Sequence, residues 1–340
     1  MLHGHGNDIF NATHPVKADF SSNVVPTGMH PELTAHLMAS IHCAANYPEP
    51  DSTTLCKAIA NVENIKPENI VVTNGSTEAF YLTAQLFGNS SSVITIPSFS
   101  EYEDAAKSHR HQLSFLPLNH LHKSYKTTAK CLWLGNPNNP DGSITASETI
   151  LSVCHGNPES VVIVDEAYTH LCDSHESLLK LSPLPANLIV IRSLTKAFAI
   201  PGLRLGYMVA HRVICEKIRK IKMPWSVNCV AQQAGLFIVQ NHQNLLPSTH
   251  ALVAESQRLQ KALAHLSDIE VTPSECNYFL GQLKKRTAAQ LKETLLQNHG
   301  FLIRDASNFR GLQSGHFRIA ANTPEQNNHL INAIQSWLLT

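Results

Sequence analysis

Six short apolar runs constrain this chain more than any other feature. They read NIVVT (69–73), SVITIP (92–97), KCLWLG (130–135), VVIVDEAY (161–168), NLIVIRS (187–193) and RLGYMVA (204–210). Each is rich in Val, Ile and Leu, and none alternates apolar with polar residues. A strand that is apolar on both sides needs cover on both faces, which predicts a mainly parallel sheet enclosed by helices. Helical stretches fall between the runs, at GSTEAFYLTAQLF (75–87) and SEYEDAAKS (100–108), so the class is α/β. In such sheets ligands bind beyond the carboxyl ends of the strands. Four of these ends are polar: Asn74-Gly75-Ser76, Asn138-Asn139, Asp165 with Tyr168, and Ser193 with Lys196. One polar strand end is ordinary, but four converging sets predict a site.

Beyond the sheet, residues 224–240 and 248–266 read as helices leading out of the layer. NYFLGQL, GFLIRDAS, HFRIAAN and the helices among them then predict a smaller α+β domain. The expected division is an N-terminal arm over 1–40, a large domain over 41–232 and a small domain over 233–340, a natural split for 340 residues. Acidic and basic residues cancel at 26 each, which argues against nucleic acid or an anionic membrane as partner. Any anion site must therefore gather Arg and Lys locally. Eight Cys without a CxxC pair read as reduced thiols of a cytoplasmic protein, so the sequons at Asn11, Asn74 and Asn89 carry no meaning. A polar start and the lack of an 18-residue apolar run predict a soluble chain. The pairs His109/His111 and His120/His122 lack Cys or carboxylate neighbours at ligand spacing, so they read as solvated surface His and no metal is expected.

Lys196 is the leading chemical candidate. At the mouth of a core strand a Lys loses part of its ammonium stabilisation and becomes a Schiff-base nucleophile. Ser193 before it and Arg204 after it suit a phosphate, Arg as a bidentate fork. Gly75, Ser76 and Thr77 open a helix and offer backbone N–H groups to the same phosphate. Asp165 ends a core strand, where a carboxylate is costly without a positive partner. A protonated pyridine nitrogen is such a partner. Tyr168 and Asn139 suit a phenolic oxygen on that ring, and Tyr102 offers an aromatic face for stacking. Singly, each has an ordinary reading as a turn Lys, a strand-end cap or a core aromatic. Together they describe a receptor for pyridoxal 5′-phosphate.

NPNNPDG, DEAY and SLTKAFAIPGLRLGY follow one another in the order and spacing of the fold-type I pyridoxal-phosphate enzymes. The chain resembles the class I/II aminotransferase superfamily of that group over nearly its whole length. The resemblance implies a large domain with a seven-stranded type of sheet and a smaller C-terminal domain. It implies a homodimer, because Tyr47 in YPEPD matches the Tyr that reaches the neighbouring subunit's cofactor phosphate. Two branches fit, the threonine-phosphate decarboxylases of cobalamin biosynthesis and the histidinol-phosphate aminotransferases. DFSSNVVPTG, MPWSVN, LIRDASNFRGL and FRIA favour the decarboxylases. A cofactor-binding regulator without catalysis is the alternative outside enzymes. Arg318 resembles the carboxylate-binding Arg of the group. Arg304, Asn23 and His5, with His3 as alternative to His5, resemble the groups that gather a substrate phosphate, so the implied partner is a small phosphorylated amino acid. The chain departs from the group at Val24-Val25-Pro26, and at Asp141 where Thr is usual.

Overall fold

The computed structural model describes residues 6–181 and 183–339. The chain opens with β1 (Ala18–Asp19), α1 (Pro31–Ser40) and α2 (Thr53–Glu63). The central layer follows as β2 (Ile70–Thr73), α3 (Gly75–Leu86), β3 (Ser91–Ile96), α4 (Glu101–Ser108), β4 (Gln112–Pro117), β5 (Cys131–Gly135), α5 (Ser147–Gly156), β6 (Val161–Asp165), β7 (Leu188–Ser193), β8 (Gly206–Ala210) and α6 (Arg212–Ile221). Helices α7 (Cys229–Leu245) and α8 (Thr249–Ala264) lead to β9 (Ile269–Val271), β10 (Tyr278–Leu283), α9 (Ala288–His299), β11 (Phe301–Leu302), β12 (Arg304–Asp305), β13 (His316–Ala320) and α10 (Pro324–Leu339).

Among the described residues the large sheet has seven strands in the order β2-β8-β7-β6-β5-β3-β4. Only β8 runs against the others. The continuous apolar runs explain this layout. Every residue of β2, β5, β6, β7 and β8 is buried, whereas the edge strand β4 is half exposed. Neighbouring residues point to opposite faces. Val72, Val164 and Val190 therefore pack with α2, α5 and α7, while Val71, Ile163 and Ile189 pack with α3, α4 and α6. Together these make the expected α/β layer.

The antiparallel sheet β12-β13-β10-β9 forms the small domain, covered by α8, α9 and α10. The N-terminal arm joins it, with β1 pairing in parallel with β11 and Phe20 entering its core. The border expected at 232/233 falls inside α7. That helix buries Ala231, Ala234 and Ile238 in the core of the large layer, so the whole of it packs there. Leu259 and Leu263 of α8 enter the small domain's core instead. The surface reading of His111 is corrected: it is 7% exposed. Its ring bonds the Ser92 hydroxyl at 2.8 Å and the Ala84 carbonyl at 2.9 Å, which satisfies it inside the core. Among the described residues no helix is long and apolar enough to cross a membrane.

Candidate active site

Parallel strands share one carboxyl edge, and a cleft of about 640 Å³ lies along it. Asn139 follows β5, Asp165 ends β6, Ser193 ends β7, and Asn74 with Ser76 and Thr77 follows β2. Because β8 is antiparallel, its beginning lies at this edge, which brings Arg204 to the same cleft. Lys196, Tyr168, Asn23 and Arg318 complete the walls.

Asp165 is 6% exposed. Burial pushes its carboxyl up to about 6, while the Tyr102 hydroxyl and the Ala167 amide oppose the rise. The Tyr102 hydroxyl donates to Oδ2 at 2.6 Å and the Ala167 N–H to Oδ1 at 3.1 Å. The carboxylate is thus held ionised near neutral pH, ready for a cationic ring nitrogen. Tyr102 does not line the cleft, which corrects its reading as a stacking face. It sits in the first turn of α4 at 2% exposure, parallel to Trp133 with ring centroids 6.2 Å apart. Phe99, three residues earlier and outside the helix, lines the cleft instead. The two aromatics are three residues apart, Phe99 just before α4 and Tyr102 within it, and only the former reaches the cleft.

The end of the cleft expected to take a phosphate is built largely from backbone. Asn74 makes no side-chain cap on α3; its own N–H donates to Glu78 Oε2 at 2.6 Å. The first N–H groups of the helix are left to an anion. Gly75 has φ +77°, and a Cβ there would lie 2.5 Å from Arg204 Nη2. The guanidinium therefore rests on the space a side chain would fill. Gly206 allows the same closeness from below, since its Cβ would stand 2.7 Å from Ser76 N. Ser193 Oγ contacts Thr195 Oγ1 at 2.8 Å, which places a second hydroxyl beside Lys196 that the sequence reading left without a role. Burial first, then Arg318 and Arg204, bring the Lys196 ammonium down to about 8. A substantial share of the amine is neutral and nucleophilic at physiological pH.

Arg318 in β13 is 5% exposed; it donates to Asn139 Oδ1 and to the Ser21 carbonyl. Among the described residues its Nε has no partner, and the buried Asn23 amide has only a loose contact with the Tyr168 hydroxyl. Buried polar atoms are costly without partners, so these mark where a polar ligand belongs. Arg304 is the direct antiparallel partner of Arg318, which places both side chains on one face. Arg304 lines a neighbouring cavity of about 330 Å³ that shares Phe99 with the cleft, and it donates to Asn308 Oδ1 at 2.8 Å. Burial and Arg318 lower its pKa to about 10, so it stays charged at neutral pH. Tyr47 lies away from this chain's cleft at 86% exposure, against Trp225. His3 and His5 lie outside the described residues. Asp141 serves the turn, accepting from Asn138 Nδ2 at 2.8 Å and Ser143 Oγ at 2.9 Å. Val25, in the other departing segment, donates its N–H to the Lys196 carbonyl at 3.1 Å and so ties the arm to the Lys196 loop.

These groups fit pyridoxal phosphate: an amide and guanidinium cradle at one end, a nucleophilic amine in the middle, a carboxylate at the ring nitrogen. The family model for aminotransferase class I and II matches residues 15–334. The threonine-phosphate decarboxylase of Salmonella typhimurium is 30% identical over 94% of this chain and 91% of its own length. The histidinol-phosphate aminotransferase of Thermoanaerobacter pseudethanolicus is also 30% identical, over 96% and 94%. In an adenosylcobalamin biosynthesis bifunctional protein of Leptospira interrogans, 29% identical, the matched region spans 38% of the protein. The crystal structure of L-threonine-O-3-phosphate decarboxylase from Porphyromonas gingivalis superposes with a TM-score of 0.91, 36% identical over 94% of this chain and 99% of that one. This chain belongs to the aminotransferase class I and II family, and its cofactor is pyridoxal 5′-phosphate.

Proposed function

We propose that this enzyme decarboxylates L-threonine O-3-phosphate to (R)-1-amino-2-propanol phosphate in cobalamin biosynthesis. The observation that carries the reading is the pairing of Arg304 with Arg318 on one face, Arg318 lining the Lys196 cleft and Arg304 the cavity beside it. Two guanidiniums facing each other repel, and a substrate with two anionic ends relieves them. Phosphothreonine carries carboxylate and phosphate at once; histidinol phosphate carries no carboxylate, although its co-substrate 2-oxoglutarate carries two. The 36% identity to the Porphyromonas gingivalis decarboxylase supports the same choice.

Bound in this cleft, pyridoxal phosphate supplies an aldehyde for the substrate amine and an electron-withdrawing ring. Asp165 would keep the ring nitrogen charged, and Tyr168 and Asn139 would bond the phenolic oxygen. Arg204, Ser193 and the α3 amides would hold the cofactor phosphate. Arg318 grips the substrate carboxylate, while Arg304 and Asn23 anchor its phosphate, joined by His5 in the family's pattern. Fixing both ends of the substrate would decide which bond at Cα breaks. If it is the bond to the carboxylate, carbon dioxide would leave and Lys196 would return a proton to Cα. If it is Cα–H, Lys196 would instead remove that proton, as transamination requires.

We further infer a cytoplasmic homodimer in which Tyr47 reaches the partner's cofactor phosphate. The exposure of Tyr47 beside exposed Trp225 and Met223 supports it. The histidinol-phosphate aminotransferase reading rests on relatives of equal identity. Mixing purified enzyme with phosphothreonine, or with histidinol phosphate plus 2-oxoglutarate, separates the two. Carbon dioxide and the amino alcohol phosphate are expected from the first mixture. A keto acid with pyridoxamine phosphate overturns the decarboxylase reading, and no product from either mixture points to a cofactor-binding regulator.

A further inference from the structure

Cys172 and Cys276 face each other in an isolated antiparallel bridge. Cys172 follows the turn after β6, on the large-domain side, and Cys276 precedes β10 of the small sheet. The flanking backbone bonds fix the geometry. Asp173 N donates to the Glu275 carbonyl at 3.3 Å, and Asn277 N to the Leu171 carbonyl at 3.0 Å. Bonds one residue out on each side make the two Cys a non-hydrogen-bonded pair, with Cα atoms about 4.5 Å apart and side chains at their closest. A disulfide closes without backbone movement at roughly 4.4–6.8 Å. The other contacts of the thiols are weak: Ser174 Oγ at 3.9 Å for Cys172 and the Gly142 carbonyl at 3.8 Å for Cys276.

We propose that Cys172 and Cys276 are a modification site, closing a reversible disulfide that fastens the small domain to the large one. Hydrogen bonding from Cys276 brings the Cys172 thiol down to about 7, while burial pushes Cys276 well up. Cys172 is therefore the attacking sulfur. The pair is 4% and 0% exposed, which suits a small uncharged oxidant such as hydrogen peroxide. The Cys172 thiolate attacks one peroxide oxygen, gains OH and expels hydroxide, which takes the thiol's proton to become water. The Cys276 thiol then displaces the hydroxyl from Cys172 as a second water. Two thiols lose two electrons and two protons, and one peroxide becomes two waters. Tyr278, two residues past Cys276, bonds the Asn138 carbonyl at 2.8 Å and packs edge-on against Tyr168. The crosslink thus restrains the joint directly behind the cleft.

The test treats the holoenzyme with hydrogen peroxide, blocks remaining thiols under denaturing conditions, and maps the peptides. The expected result is loss of two of the eight thiols, a link between Cys172 and Cys276, and full recovery with dithiothreitol. In Cys276→Ser the Cys172 sulfenic acid has no resolving thiol and is captured by dimedone. Should that variant fail to fold, the wild-type map alone decides. Eight intact thiols, or a link only between the partly exposed neighbours Cys43 and Cys229, overturns the proposal.

Discussion

Arg318 lines the cleft and Tyr102 bonds Asp165 from behind it, so on the proposed function their loss is expected to separate substrate handling from cofactor handling. Arg318→Ala removes a buried charge partner of the substrate carboxylate, so substrate binding weakens by about 2–5 kcal/mol. Cofactor absorbance stays unchanged in that variant, because no predicted cofactor contact is lost; bleaching of the cofactor band shows Arg318 misassigned. Tyr102→Phe removes the hydroxyl that holds the Asp165 carboxyl down against burial. Protonation then sets in at a pH above the native value of about 6. Since the ionised carboxylate is the form that holds the ring nitrogen, the interaction is lost as pH falls through that pKa. The acid limb of a titration of bound-cofactor absorbance therefore moves to higher pH in Tyr102→Phe. An unmoved limb removes Tyr102 from the support of Asp165. Asp165 was singled out from its place at a strand end and Arg318 from the family resemblance, and both line the cleft; Tyr102 does not. An aromatic after a strand has two ways to face, and the start of α4 decides between them.

Helix α3 and strand β8 together form the proposed cofactor phosphate end. The helix start leaves its amides uncapped, and the antiparallel course of β8 delivers Arg204 over Gly75. Gly75→Ala places a methyl in a left-handed backbone position and within reach of Arg204 Nη2. One charge-assisted hydrogen bond is worth about 1.5–3 kcal/mol, so cofactor affinity falls roughly tenfold to a hundredfold. Equilibrium dialysis checks this, with circular dichroism to establish that the helix persists; unchanged affinity means the cradle lies elsewhere. The helix and the strand were each legible from their apolar spacing. The reversed direction of β8 was not, because an apolar run reads the same whichever way it is inserted.

At the scale of the whole molecule, a site shared between two chains makes a distinctive prediction. Tyr47→Ala and Lys196→Ala are each expected to be poorly active as pure proteins. Denatured together and refolded, they form hybrids in which one site holds an intact Lys196 and receives an intact Tyr47. Activity recovers in the mixture above the sum of its parts; no recovery, or a monomer in sedimentation, refutes the shared site. The chain's own residues determined the α/β class and singled out the amine, the carboxylate and the helix start at Gly75, because continuous apolar runs and polar strand ends are local properties. The division of labour among aromatics, the pairing of Arg304 with Arg318 and the meeting of Cys172 with Cys276 were decided only in three dimensions. The last two depend on the register between segments far apart in the chain, and register is fixed by packing rather than by any single stretch of residues.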